Sequence, residues 1–440
     1  MSIRYIAAFE IASSKIKGAV ATVDSDSGRL SVLAVEEERA TDLVHYGCVR
    51  KPAEVFSHVE SIRKKLEAHP AVAPRKIEKA VVSLGGHTLM STVKSTEMTF
   101  PEDTVITDDI IRELKKRIGE QGVENREVVK VLPRDYTVNG FSQQSPLGMF
   151  CRSISANLNV VYCSNQLKIN LNRVFETQSV NGANIQVLKY PVRPLAIANI
   201  VLSNEDKQLG CMLVDFGAET TTVSIYKGST LRYLVTLPFG SRNITRDIMN
   251  IRSCLEDVAE NLKCTLGNID PEQKSANPDT KEINNFIEAR ASEIIANINE
   301  QLNYAGVKPE ELPRGIIITG GGAKLPGFNT LLSQQTDLKI RTAVPDYKIN
   351  ICDGSLRPSD EVDVIALLAH AASLRDKTDM LSMPKIEKPV TDDNVSRIGE
   401  ENDEPLDEGE EKPKPASKPK SMSILDKLKN LLSDNDNDDN

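Results

Sequence analysis

The amino-acid sequence predicts an α/β fold made of two duplicated domains, with a module inserted in the first domain and a disordered C-terminal tail. The main observation is a pattern that occurs twice: an apolar strand, an acid, a small residue two positions later, hydroxyl residues and a second apolar strand. The acids are Glu10 and Asp215, and their separation of 205 residues indicates a duplicated domain, not a short repeat. The second observation is that large apolar residues nearly disappear after residue 375.

The composition bounds the class of protein. At about 100–200 residues per domain, 440 residues suggest two to four domains, and 40% hydrophobic residues suffice for a sizeable core. The net charge is −9 without an evident basic stripe, which argues against nucleic acid as a partner. No apolar run approaches the roughly 18 residues of a membrane span and no secretory signal is visible, so we expect a cytosolic protein. The seven cysteines form no C-x-x-C pair, and the five histidines lack metal spacing, so reduced thiols are expected.

The first half of the chain reads as one domain interrupted by an insertion. Apolar runs predict strands at 5–11, 16–23, 30–36 and 79–84, and helical spacing predicts a helix at 53–69. The inserted module spans 85–165, with predicted strands at 88–100, 128–138 and 153–161 and a helix at 108–120. After it come a helix at 166–174, a strand at 187–190 and a helix at 195–202. We therefore assign 1–84 and 166–203 to the first domain.

The second half begins with the repeated pattern at 211–226. Helical periodicity dominates 243–304, and a β-branched strand at 315–319 runs into a triple glycine. These features assign 204–240 and 315–359 to the second domain and 241–314 to a helical small subdomain. The segment 360–375 contains an alanine-rich helix that is expected to close the first domain.

The tail carries most of the charge. Residues 376–440 contain 18 acidic and 10 basic residues, a net of −8, which leaves −1 for 1–375. Residues 376–420 are too polar to bury a core and are predicted to be a disordered linker, and 434–440 is an acidic end.

Between the linker and the acidic end, 421–433 predicts an amphipathic helix. Its apolar side chains fall within an arc of about 120°, flanked by two lysines, as in a helix that lies in a bilayer interface. These residues are Ile424, Leu425, Lys427, Leu428, Lys429, Leu431 and Leu432. The same pattern also suits docking on another protein or on the body of the chain, and the sequence leaves these alternatives open.

Three turns rich in glycine or hydroxyl residues follow apolar strands, at 10–15, 215–222 and 319–323. Such turns present backbone N–H groups to phosphates, because small residues let the chain approach closely. The acids Glu10 and Asp215 are suited to hold a magnesium ion through water. None of the turns is a Walker loop. In this order, and with the duplication, they predict a nucleotide site between the two halves.

The order of these motifs resembles that of the actin, Hsp70 and hexokinase superfamily, and within it the chain resembles the FtsA family of bacterial cell-division proteins. The segments that carry the resemblance are 316–327, 214–217 with Thr220-Thr221, 238–241 with 244–248, and 259–263. The resemblance covers roughly 3–375 and the C-terminal helix. It implies an actin-like (ribonuclease H-like) two-domain ATPase fold with an FtsA-type inserted subdomain.

The resemblance also implies roles for individual residues in binding ATP and Mg²⁺. The phosphates would be contacted from the first half by Ser13, Ser14 and Lys15, and from the second by Asp215, Gly217, Thr220 and Thr221. Glu10 and Gly240 would also belong to the cofactor site. The adenosine would be contacted by Glu260, Lys263, Gly320, Gly321, Gly322 and Lys324. By spacing alone, Glu260 and Lys263 also suit a solvated helix pair. No catalytic residue is implied.

Three residues depart from the family pattern. Glu10 stands where the family has Asp and is one methylene longer, so its carboxylate should sit deeper or displace a metal-bound water. Ala12 replaces a glycine, and Glu219 replaces a small residue beside the phosphates, where a carboxylate is unfavourable unless it points away. We therefore expect nucleotide binding with weak or absent hydrolysis.

The function implied by the resemblance is that of a membrane adaptor. Such a protein binds ATP, polymerises, anchors the FtsZ ring to the cytoplasmic face of the inner membrane at the division site, and helps to recruit later division proteins. Residues 241–314 would receive the C-terminal peptide of FtsZ. The alternative is a small-molecule or sugar kinase of the same superfamily, which would need a catalytic Asp over a substrate cleft. A chaperone of the Hsp70 type would need a β domain after residue 375.

Overall fold

The computed structural model describes residues 3–176, 184–273, 277–345, 349–352, 354, 356–376 and 378–384. Its first part is a β-rich segment with one long helix. The elements are β1 (Ile3–Ile11), β2 (Lys15–Asp24), β3 (Leu30–Arg39), β4 (Val44–His45), β5 (Cys48–Val49), α1 (Pro52–Ala68), β6 (Lys76–Ile77) and β7 (Lys79–Val82). Strands β1 and β2 are buried on both faces, which explains their nearly continuous apolar sequences.

The inserted module follows β7 and has its own core. Its elements are β8 (Met90–Val105), α2 (Asp108–Gln121), β9 (Arg126–Val138), β10 (Phe141–Gln143) and β11 (Phe150–Ser164). Strand β11 pairs antiparallel with both β8 and β9, and α2 packs Leu114 and Ile118 against this sheet. The predicted insertion is therefore present as a separate packing unit.

The remaining elements complete the first domain and form the second. They are α3 (Asn165–Glu176), β12 (Gln186–Lys189), α4 (Arg193–Val201), α5 (Asn204–Leu209), β13 (Cys211–Phe216), β14 (Thr221–Lys227), β15 (Thr230–Leu237), α6 (Ser241–Arg252), α7 (Glu256–Leu266), α8 (Pro278–Ala305), β16 (Ile316–Thr319), α9 (Phe328–Thr336), β17 (Ile340–Thr342), β18 (Ile349–Ile351), α10 (Val362–Ala372) and β19 (Leu381–Ser382). None of the helices in the described ranges is both long and apolar enough to cross a bilayer.

The sheet topology repeats, as the duplicated sequence pattern predicts. The first sheet has the order β12-β7-β1-β2-β3-β18, and the second has the order β10-β9-β11-β8-β15-β14-β13-β16-β17. Strand β1 pairs antiparallel with β2 and parallel with β7, and β13 pairs in the same way with β14 and β16. The module joins the second sheet through a single pairing of Met90 with Val235.

Helices cover both sheets at close range. In the first domain α1 lies over β2, where a Cβ on Gly18 would be 2.5 Å from the side chain of Ile62, so glycine permits the approach. Helix α10 packs on β1 and α4, so this late helix lies in the same core as the elements of the first domain. In the second domain Ile287, Ile294 and Ile298 of α8 pack in one core with β13 and β16.

Two predicted boundaries are wrong. Strand β18 pairs with β3 in the first sheet, although 315–359 was assigned to the second domain, because three residues are too few to reveal their partner. Strand β19 pairs with β6, and Met380 and Leu381 are buried, so the body extends past the predicted linker start at 376. Polar residues flank Met380 and Leu381, so the average composition of this stretch did not indicate that the two side chains are buried. The rest of the predicted linker, the amphipathic helix and the acidic end lie outside the described residues.

Candidate functional site

A cavity of about 470 Å³ lies where the β1–β2 turn, the β13–β14 turn and the loop after β16 meet. Strands β1 and β13 each end at this point, so the duplicated topology brings the turns together. Among the predicted site residues, all line the cavity except Thr221 and Gly240. Thirteen of the 28 residues that line the cavity are therefore among those named from the sequence.

The first turn is held by short backbone and hydroxyl contacts. The Ala12 N–H donates to the carbonyl of Lys15 at 3.0 Å, and the Ser13 hydroxyl accepts from the Gly47 N–H at 2.9 Å. Ala12 does not have a positive φ, so glycine is not required there. The ammonium of Lys15 forms an exposed ion pair with Glu37 at 2.5 Å. The loss of glycine at position 12 thus causes no strain, and Lys15 already has a partner.

The second turn closes through Gly217, whose N–H donates to the Thr220 carbonyl at 2.9 Å. Thr221 is fully buried behind this turn and donates its hydroxyl to the Phe239 carbonyl at 2.7 Å. A Cβ on Gly240 would lie 2.2 Å from the Ala218 carbonyl oxygen. Thr221 and Gly240 therefore support the turn from outside the cavity.

The triple glycine lets the loop after β16 pass against Phe216. Gly320 has a φ of +94°, and a Cβ there would lie 2.3 Å from the Phe216 carbonyl oxygen. A Cβ on Gly322 would meet the Phe216 ring at 2.6 Å, whereas Gly321 faces open space. Next to this loop, Lys324 forms an ion pair with Asp360 at 3.0 Å. Gly320 and Gly322 are thus needed to seat this wall of the cavity on β13.

Glu260 and Lys263 form a hydrogen-bonded cluster at the cavity wall. Lys263 Nζ lies 2.7 Å from Glu260 Oε2 and 2.9 Å from the Thr245 hydroxyl. Burial opposes ionisation of Glu260, but Lys263 and Thr245 outweigh it and lower the pKa of this carboxyl. Lys263 is buried while the Glu260 side chain is 49% exposed, so only the lysine of this helix pair is withdrawn from solvent.

Sequence reasoning missed Arg193, the first residue of α4. Its Nη1 donates to Glu10 Oε1 at 2.8 Å, and its Nη2 lies 2.8 Å from Asp215 Oδ2. The two acids of the duplicated pattern are therefore joined by one guanidinium. A lone arginine before a proline gave no signal, because its partners are 183 and 22 positions away in the sequence.

Asp363 and Lys17 extend this buried network. Lys17 Nζ lies 3.0 Å from Glu361 Oε2 and 3.2 Å from Asp363 Oδ2. Burial raises the pKa of Glu10 well above its usual range, and the charge of Asp363 and a hydrogen bond to it act in the same direction. Burial also disfavours the charged form of Asp363, but Lys17 and the hydrogen bond from Glu10 outweigh it and lower its pKa. The two carboxyl groups are thus shifted in opposite directions, with the pKa of Glu10 raised and that of Asp363 lowered.

These side chains do not fit the magnesium site predicted at Glu10 and Asp215. Both carboxyl groups already contact Arg193, and both are buried. At about 4 Å and an effective dielectric constant of about 20, the guanidinium would repel each positive charge of an ion by about 4 kcal/mol. No group of three His, Cys, Asp or Glu side chains in the described part of the chain could hold a metal.

Glu219, the other departure, points its carboxylate away from the centre of the cavity. Its Oε2 accepts from the Tyr46 N–H at 2.7 Å and its Oε1 from Arg242 Nη1 at 2.8 Å. Burial raises the pKa of this carboxyl, but the Tyr46 N–H and Arg242 outweigh it and hold the pKa below its ordinary value. Because Tyr46 belongs to the first domain and Arg242 to α6, this side chain ties the two halves together.

Comparisons with known proteins agree with this architecture. The family model "Cell division protein FtsA" matches residues 212–363, and the model "SHS2 domain inserted in FTSA" matches 86–162. The cell division protein FtsA of Porphyromonas gingivalis is 28% identical over 354 residues, which are 76% of this chain and 72% of that protein. FtsA of Enterococcus faecalis is 25% identical over 385 residues, 83% of each chain.

A solved structure supports the fold. A chain of the PilM-PilN type IV pilus biogenesis complex superposes with a TM-score of 0.59 at 15% identity, covering 83% of this chain and 98% of that one. The insertion model matches the module between β7 and α3, and the other family model spans the second domain up to the start of α10. The chain therefore belongs to the FtsA family of cell division proteins and has its actin-like two-domain fold with the inserted subdomain.

Proposed function

We propose that this protein is an ATP-binding adaptor that polymerises and attaches the FtsZ ring to the cytoplasmic membrane at the division site. The observation that carries the proposal is the cavity between the duplicated turns. Its volume of about 470 Å³ falls within the roughly 300–1,000 Å³ typical of small-molecule sites. Its walls offer hydroxyl groups from Ser13 and Thr220 together with the guanidinium of Arg193, which suit phosphate oxygens.

Binding without efficient hydrolysis follows from the state of the acids. A carboxylate that orients an attacking water must be free to accept its proton. In this cavity Glu10 and Asp215 both contact Arg193, the pKa of Glu10 is raised by burial and by Asp363, and Glu219 is held by Arg242. The nucleotide would then favour one arrangement of the two domains, and assembly would be the response.

The partner surface proposed for the C-terminal peptide of FtsZ lies in the helical block 241–314. This block exposes apolar side chains on α7, on α8 and just before α7: Leu255, Val258, Leu266 and Phe286, which are 78%, 49%, 38% and 43% exposed. Exposed apolar groups of this kind suit a short peptide that folds into a groove. Membrane attachment would rest on the amphipathic segment 421–433, whose affinity as a single short helix is weak and whose array on a polymer is strong through avidity.

Co-sedimentation with anionic liposomes tests the adaptor function. Full-length protein is compared with a chain that ends at Lys420, with and without ATP. We expect only the full-length protein to pellet and ATP to increase the fraction bound. A matched pair of variants separates hydrophobic insertion from charge: Leu428→Glu on the apolar face should abolish pelleting, while Asn430→Glu on the polar face should weaken it only slightly. If neither length pellets, the membrane adaptor is refuted.

A further inference from the structure

We propose that Arg193 takes the place of a divalent cation in this site, so that nucleotide phosphates bind without Mg²⁺. This inference rests on the proposed nucleotide binding and specifies how it occurs. The position of Arg193 in the cavity supports this proposal. Arg193 lines the cavity beside the two duplicated turns, between Glu10 and Asp215, where the sequence placed a hydrated metal ion.

The guanidinium of Arg193 also has donors that its acidic partners do not use. Arginine has five N–H donors in a planar fork. One donates to Glu10, another approaches Asp215 at 2.8 Å, and Nε is buried without a hydrogen-bond partner. The side chain remains 14% exposed, so donors remain for phosphate oxygens that enter the cavity. The fork geometry suits phosphate in a bidentate manner.

The local chain is shaped to hold this arginine. The Arg193 N–H donates to the Leu84 carbonyl at 2.9 Å, which fixes the start of α4 beside the end of β7. A Cβ on Gly85 would already touch Arg193 Nε at 3.4 Å, so a larger residue there would crowd the guanidinium. The arginine is therefore fixed by backbone contacts, and its charge stands where nucleotide phosphates would need compensation.

The buried acids around Arg193 and Lys17 are paired within the protein. Lys17 faces Glu361 and Asp363, Arg193 faces Glu10 and Asp215, and Glu10 shares a hydrogen bond with Asp363. Each carboxyl group therefore has a partner in the chain itself. A dication entering between Glu10 and Asp215 would displace Arg193 from one of these contacts, whereas a phosphate needs only the guanidinium donors that the two acids leave without a partner.

Isothermal titration calorimetry of the full-length protein with ATP and with ADP, in EDTA and in excess Mg²⁺, tests this inference. We expect dissociation constants in the two buffers that agree within about threefold. Binding that appears only with Mg²⁺ would overturn the role of Arg193 and leave nucleotide binding intact. An absence of binding in both buffers would overturn nucleotide binding as well.

Variants of Arg193 sharpen the test. Arg193→Gln should weaken binding in EDTA by about tenfold or more, the worth of a hydrogen bond to a charged group, and Mg²⁺ should restore part of the loss. Arg152→Gln is the control, because Arg152 is 69% exposed and paired with Asp103 in the inserted module, and it should change nothing. If Arg193→Gln fails to fold, Arg193→Gln combined with Asp215→Asn removes the carboxylate that the first change leaves without a cation. Unchanged affinity in EDTA for a folded Arg193 variant would contradict the proposal.

Discussion

Replacing Glu219 by glutamine tests whether its carboxylate fastens the two domains together. The side chain is 1% exposed, and the change removes a charged acceptor that faces Arg242 Nη1 at 2.8 Å. A hydrogen bond to a charged group contributes about 1.5–3 kcal/mol, and breaking a buried ion pair costs up to about 3–5 kcal/mol. Because Arg242 keeps Glu256 at 2.9 Å, the lower part of this range applies. We expect a loss of about 2–3 kcal/mol in the free energy of unfolding.

Urea unfolding followed by far-ultraviolet circular dichroism measures this loss, since the chain has no Trp. Glu256→Gln is the matched control: it removes a 41% exposed partner of the same arginine and should cost less than about 1 kcal/mol. The pKa of Glu219 is lowered by folding, so its contribution is present above the unfolded pKa and is lost as the pH falls through the folded pKa. The difference between wild type and Glu219→Gln should therefore shrink below about pH 4. Equal losses for the two variants at pH 7 would refute the reasoning.

Three further predictions concern the cavity and the end of the body. Gly320→Ala should lower the free energy of unfolding by about 2 kcal/mol or more in urea, because of its positive φ and the nearby carbonyl, whereas Gly321→Ala should change it by less than about 0.5 kcal/mol. Lys263→Met should weaken ATP binding about tenfold in calorimetry, because the substitution removes the cation that orders Glu260. An unchanged affinity would show that Lys263 does not belong to the nucleotide site. Leu381→Ala, at a buried position, should cost about 2–4 kcal/mol in urea, against less than about 1 kcal/mol for Met383→Ala, which alters a 55% exposed side chain.

The parts of the fold that could be predicted are those encoded in short stretches of sequence. The strand, acid, small residue and second strand around Glu10 and Asp215 lie within some 15 residues each, so the pattern shows the hairpins and their duplication directly. The triple glycine is also a short local motif, and Gly320 and Gly322 are required because the end of β13 lies directly beside them. Local patterns of this kind were enough to locate the cavity.

The parts that could not be predicted depend on contacts between distant residues. Lys17 and Asp363 lie 346 positions apart in sequence, yet both act on Glu10, whose pKa is raised first by burial and then by Asp363, and lowered by Lys17. Strand β18 has three residues, and its partner β3 lies more than 300 positions earlier. For such contacts the residue types are ordinary, and only the folded arrangement gives them a role. The ion pairs of the site could therefore not be predicted from the sequence, although the turns that form the cavity could.

The electrostatics of the cavity bears on the kind of protein that this fold supports here. A site that turns over nucleotide needs a free carboxylate to align water and a cation that follows the changing charge on the phosphates. In this chain the candidate carboxylates are bonded to Arg193, Asp363 and Arg242, and the cation is a side chain fixed at the start of α4. Under the proposed nucleotide binding, such a site would favour retention of the nucleotide over its conversion. That property suits an adaptor whose output is assembly, and it argues against the kinase alternative, in which the phosphoryl group must leave.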